Sequence, residues 1–285
     1  MLLTLTTSSL RPLLAGRHPK LRLGDLPTYA REELGLHGLN LSTDLLKGAS
    51  RETLEGLRER ADKAACACLL LIESDPQPIA SLNDSKGDNA LERTERVLNA
   101  AHLLGCNAAA IRMTGEDTEE AFDLAIERLK MALDTAERLE LNLLIAPEDG
   151  FTGDPERVTE LIKKVGRFRL MTFPDFAAAA QTDDPAGYLR RLAPYAGAVG
   201  ASTIRFATEP AAREDEDGMQ AWGELALDAA EHTGYDLRPM LDAVRSVGFD
   251  GSLGLDYRGV GDVTIGLLMS RAAIESAIEE AEAAS

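Results

Sequence analysis

Short apolar runs alternate with amphipathic stretches along the whole chain. The runs are LLTLTT at 2–7, GLNLST at 38–43, CACLLLIES at 66–74 and AAAIRM at 108–113, then LNLLIA at 141–146, FRLMTF at 168–173, AVGASTIRF at 198–206 and SLGLDY at 252–257. Short, nearly continuous apolar runs are the pattern of parallel strands covered on both faces. Between them, segments such as RETLEGLRERADKA, NALERTERVLNAAHLLG and DTEEAFDLAIERLKMALDTAERLE repeat apolar residues at i, i+3, i+4 and i+7, as amphipathic helices do. Asp or Thr opens several of these segments and Gly closes several, which supplies caps. Eight strand–helix units in 285 residues predict an α/β fold, a (β/α)8 TIM barrel in one domain spanning 1–285. An open doubly wound sheet is the alternative, but LTLTTSSLRPLLAG at the first strand is not the glycine-rich phosphate loop such sheets usually carry. The longest irregular piece, 207–233, follows the seventh run, is very acidic and holds Trp222. It is expected to be an inserted loop, either a partial lid or a solvated excursion.

In such barrels chemistry sits at the C-terminal ends of the strands. Asn83 and Asp84 follow the third run, and Arg112 ends the fourth. Glu148 and Asp149 follow the fifth, and Asp175 follows the sixth. Ser202, Thr203 and Arg205 lie on the seventh, and Asp256, Tyr257 and Arg258 end the eighth. Carboxylates from three strands would converge on one axis, an oxygen set that suits Mg²⁺ or Mn²⁺. The bland readings stand beside this one: loop acids, a turn residue at Asp175, and ion pairs among Asp256, Arg112 and Arg258. Alternation that buries Ile111 on one face points Arg112 to the other, and one face of a closed barrel is its interior, so Arg112 is expected in the mouth, near Asp175 or Asp256. None of His18, His37, His102 and His232 falls at a strand end, so each is read as structural or solvated.

Composition narrows the field. The formal net charge is −18, spread over the helices rather than held in a tail. Such a surface repels phosphate backbones and anionic membranes and fits a protein solvated in high salt. Nucleic-acid and membrane partners are therefore not expected, whereas a small-molecule ligand is. No apolar run reaches the roughly 18 residues of a spanning helix, and no basic segment precedes the apolar N-terminus, so a cytoplasmic location is expected. Cys66, Cys68 and Cys106 lack a His/Cys cluster around them and read as buried thiols rather than zinc ligands. Assembly into oligomers is left open.

The order of segments resembles the xylose isomerase-like barrel family, often called sugar phosphate isomerase/epimerases, which also includes the family-2 AP endonucleases. LPTYAREELGLHGLNLS, LERTERVLNAAHLLGCNAAAIRMTG, LLIAPEDGFTGDPERVTELIKKVG, TFPDFAAA with YLRRLAPYAGAVGAS, and YDLRPMLDAVRSVGFDGSLGLDYRG carry the resemblance and cover most of the chain. The resemblance implies one divalent metal held by a Glu after the fifth strand, an Asp after the sixth, a His on the seventh and a Glu on the eighth. Laid on this sequence, those positions are Ala146, Asp175, Gly200 and Asp256. Glu148 falls two residues after the missing glutamate and could replace it only by a shift of register. Ser202 falls where the family has a Lys. The implied site is degenerate: Asp175, Asp256 and Glu148 are the candidate catalytic or metal-binding acids. Arg112, Arg205, Arg258 and Ser202 are the candidate ligand-binding residues. The resemblance implies a sugar or polyol isomerase/epimerase with a weakly bound Mg²⁺ or Mn²⁺, or a metal-free, non-catalytic relative that binds a small polar ligand. An AP endonuclease-like nuclease would need several more His and carboxylate ligands and a basic groove.

Overall fold

The computed structural model describes residues 1–16, 19–150, 152–209 and 230–283. Eight parallel strands form a curled sheet: β1 (Leu2–Thr6), β2 (Gly38–Ser42), β3 (Ala67–Ile72), β5 (Ala108–Gly115), β6 (Asn142–Ala146), β7 (Leu170–Thr172), β8 (Val199–Thr203) and β9 (Ser252–Tyr257). They neighbour one another in the order β7-β6-β5-β3-β2-β1-β9-β8. The two ends of that path meet through isolated parallel bridges, Thr172 to Ala196 and Asp175 to Gly200. The Gly197 N–H donates to the Thr172 carbonyl at 3.0 Å and the Gly200 N–H to the Pro174 carbonyl at 2.8 Å. The curled sheet is thus joined by bridges where the other strands share ladders.

All eight expected strands are present. A ninth, β4 (Gln77–Ala80), was not expected; it holds Pro78, which lacks a ladder donor, and it pairs only with the outer end of β5. Helices cover the outside. Several of their starts are capped by side chains, such as Thr118 accepting from the Ala121 N–H at 3.2 Å and Asp154 from the Glu156 N–H at 2.9 Å. Among the described residues no helix is long and apolar enough to cross a membrane.

Strand alternation divides the interior into two layers. Ala109, Ile111 and Met113 of β5 and Leu143 and Ile145 of β6 join the large core beneath the helices. Their neighbours Ala108, Ala110, Leu144 and Ala146 point the other way and form a separate cluster with Leu70, Phe173 and Ala198, inside the curl. On the opposite side of the curl the inward residues are polar. Asn40 donates to Thr4 Oγ1 at 3.0 Å and Thr6 Oγ1 at 3.4 Å, and Thr4 donates to the Leu253 carbonyl at 3.3 Å. Gly254 makes room for this group, because a Cβ there would stand 2.5 Å from Asn40 Nδ2. Asn40 Oδ1 is buried without a hydrogen-bond partner among the described residues.

Candidate functional site

A cavity of about 630 Å³ opens at the C-terminal ends of the strands. Its floor is a three-residue ion cluster. Asp175 follows Pro174 at the end of β7 and caps the short helix Phe176–Ala179, with Oδ1 accepting from the Ala178 N–H at 3.1 Å. Asp256 lies on β9, and Arg258 follows two residues later, so both project to the same side. Arg258 forks onto Asp175, Nη1 to Oδ1 at 3.0 Å and Nη2 to Oδ2 at 2.9 Å, while its Nε donates to Asp256 Oδ2 at 2.7 Å. Burial would lower the Arg258 pKa, but the fields of Asp175 and Asp256 and their hydrogen bonds outweigh it and hold the pKa above its ordinary value.

The remaining oxygens of the floor are also engaged. Asp256 Oδ1 accepts from Ser8 at 3.0 Å and Ser9 at 2.6 Å, both in the turn after β1. Ser202 donates to Asp175 Oδ2, and Tyr235 in turn donates to the Ser202 carbonyl. Gly200 sits under Asp175, and a Cβ at that position would lie 2.5 Å from Asp175 Oδ2. The loss of a side chain at Gly200 is what lets the Asp175 carboxylate lie across β8 and reach Ser202. The two aspartate side chains are 8% exposed and the arginine side chain 44%, so the guanidinium lies over the carboxylates and faces the cavity.

The wall is built differently. Arg112 shares the inward side of β5 with Ala108 and Ala110 and lines the cavity. Its partners are Glu148, Nη1 to Oε2 at 3.0 Å, and the Ser74 carbonyl, to which Nη2 donates. The ion pair expected with Asp175 or Asp256 is made with Glu148 instead, because Arg258 already spans the floor. Arg205 does not line the cavity; it is exposed and donates to the Thr233 carbonyl at 3.4 Å. It lies two residues past the end of β8 at Thr203, where the chain has left the strand and alternation no longer aims side chains. Asn83 and Asp84 are also elsewhere. Asn83 caps the helix Asp84–Leu104, and Asp84 is exposed, 3.5 Å from Arg128.

Glu73, Arg11 and Tyr188 are among the cavity residues that went unrecognised in the sequence. Glu73, one residue past β3, is fully buried; its oxygens accept from Arg93 at 2.7 Å, and from Thr43 Oγ1 and the Asp75 N–H at 3.1 Å each. An acid closing the run CACLLLIES was a readable sign of it. Arg11 lines the mouth and pairs with Asp44 at 2.6 Å. Tyr188 is buried against the cavity with no hydrogen bond to its hydroxyl among the described residues. Burial and then the Asp175 charge push its pKa up. No local pattern marks these last two.

His232 accepts from the Ile204 N–H at 3.1 Å through Nε2, and its Nδ1 pairs with the Tyr235 carbonyl at 2.8 Å. It fastens the neck of the 207–233 excursion, where the Ala207 N–H reaches the Glu231 carbonyl and the Thr233 N–H the Arg205 carbonyl, each at 2.9 Å. Residues 210–229, with Trp222, lie outside the described residues, as does His18. Cys66, Cys68 and Cys106 are buried and free. Burial pushes the Cys66 pKa up to about 11 and that of Cys68 up to about 12.

A family model described as xylose isomerase-like TIM barrel matches residues 29–282. The chain belongs to the xylose isomerase-like TIM barrel family. No curated protein is matched by the sequence. Solved structures that resemble this barrel are an L-ribulose 3-epimerase (14% identity, TM-score 0.76, covering 100% of this chain and 98% of that one) and a D-tagatose 3-epimerase-like protein (15%, 0.71, 100% and 99%). Another is 3-keto-D-glucoside 4-epimerase from E. coli (14%, 0.70, 97% and 99%). At these identities the likeness shows the fold. In this xylose isomerase-like barrel no group of three or more His, Cys, Asp and Glu side chains is placed to hold a metal ion among the described residues.

Proposed function

We propose that the mouth of this barrel binds a small sugar or polyol and holds it without a resident metal ion. The observation that carries the reading is the cavity of about 630 Å³, sized for such a ligand and lined by hydroxyl, guanidinium and carboxylate groups. The donor set does not fit a divalent cation. Asp175 and Asp256 are tied to one guanidinium, Glu148 is turned to Arg112, and Ala146 and Gly200 offer no ligand atoms. Isomerisation through Asp175 or Asp256 also lacks a free base, since both oxygens of each already accept hydrogen bonds.

The test is a thermal-shift and calorimetric screen with C4–C6 ketoses and polyols, run with and without EDTA. Saturable binding that EDTA leaves unchanged supports the proposal. Binding that needs Mn²⁺ or Mg²⁺, or no binding at all, overturns it. The alternative is a sugar epimerase with a rearranged site, favoured by the epimerases among the structural neighbours and by the uncommitted Oε1 of Glu148. Deuterium appearing at the carbon beside the ketone of a bound ketose in D₂O would establish that reading.

A further inference from the structure

We infer that Glu148 sets the charge specificity of the mouth: it neutralises Arg112 and thereby keeps anionic ligands, such as phosphorylated sugars, from binding. This rests on the mouth being the ligand site proposed above.

Three guanidinium groups line the cavity, and each is already matched to carboxylate. Arg258 lies between Asp175 and Asp256, so the floor keeps a net negative charge. Arg11 is clamped by both oxygens of Asp44, at 2.6 and 3.1 Å. Arg112 and Glu148 cancel each other at 3.0 Å. Asp149, exposed on the rim, adds a further negative charge. A phosphate ester entering this mouth meets donors but no excess positive charge, in a chain of net charge −18. A neutral polyol meets the same donors with no such penalty.

Arg112 is the guanidinium that one substitution can release. Among the described residues its sole carboxylate partner is Glu148, whose side chain is 20% exposed on the loop after β6, whereas Arg258 has two acids buried beneath it. Its anchor on the Ser74 carbonyl would keep it aimed into the cavity after Glu148 is lost. Two N–H groups of Arg112 are engaged, and a guanidinium has five. A freed Arg112 therefore has donors for a bidentate oxyanion contact.

The experiment titrates wild type and Glu148→Gln with matched pairs, each neutral ketose or polyol beside its own phosphate ester, at low salt. In wild type the neutral member should bind about tenfold or more tightly than its ester. In Glu148→Gln the ester should gain about tenfold, and the gain should fade as salt is raised. The double variant Arg112→Met with Glu148→Gln should lose that gain, which separates a freed guanidinium from a mere loss of negative charge. Esters binding wild type as tightly as neutral sugars, or no gain in Glu148→Gln, would overturn the inference while leaving the ligand site standing. If no pair binds at all, the ligand-site reading falls first and the inference with it.

Discussion

Of the arginine–carboxylate assemblies that line the mouth, the one in its floor and the one in its wall are of the same chemical kind and differ in what holds them. In the floor, Arg258 meets two nearly buried aspartates whose oxygens also accept from Ser8, Ser9, Ser202 and the Ala178 N–H. In the wall, Arg112 meets one partly exposed glutamate, with a single further anchor at Ser74. Breaking a buried pair strands a desolvated charge, whereas breaking an exposed one lets water take over. The floor is therefore a structural joint between β1, β7, β8 and β9, and the wall is an adjustable surface. A cation between two carboxylates is what a metal would supply, and here a side chain supplies it.

The largest expected effect is at the floor. Asp175→Ala removes the fork, uncaps the Ala178 N–H and leaves Ser202 without its acceptor, and should cost about 2–4 kcal/mol in urea unfolding. A loss below about 1 kcal/mol would place the floor in the same class as the wall. Next, Gly200→Ala puts a methyl against Asp175 and should cost about 1–3 kcal/mol, as overpacking does. Wild-type stability in that variant would show that Asp175 has room to move and that the bridge between β7 and β8 is slack.

The wall should yield little. Glu148→Gln is expected to change stability by no more than about 1 kcal/mol, read by the same unfolding curves. A larger loss would make the wall structural too. The most local effect concerns His232, which fastens the neck beside the floor. Burial, partly offset by the Tyr235 carbonyl, lowers its pKa below the ordinary value near 6.5. The unfolded chain therefore takes up the proton more readily than the folded one. The contribution of neutral His232 is fully present above about pH 6.5 and is lost as the pH falls through its lower folded value. The protection factor of the Ile204 amide, its intrinsic exchange rate over the observed one at each pH, should fall between pH 7 and 5 while those in β1 and β9 do not. An unchanged protection factor at Ile204 would sink this assignment.

Much of the site could be read from strand ends alone. Asp175, Asp256, Arg258 and Ser202 share the floor because each sits at the mouth end of its strand or just past it, where parallel packing points side chains inward. Arg112 reached the mouth by the same alternation, but its partner could not be read, since Glu148 approaches from a loop whose path depends on Pro147 and the turn beyond. Arg205 shows the limit of the method: two residues past the strand, the rule of two no longer holds. Tyr188 and Arg11 were out of reach, because residues on helices enter the cavity only through the packing of their whole elements.

The barrel and its layers were determined by the sequence itself, because hydrophobic periodicity is local and eight repeats of it leave few ways to bury the apolar faces. So was the absence of ligand atoms at Ala146 and Gly200, which are matters of residue identity. Only the tertiary structure decided which arginine answers which acid. Arg112 with Glu148 and Arg258 with Asp175 join residues 36 and 83 positions apart, and their geometry is set by how β5, β7 and β9 and the intervening loops come together, not by any local pattern.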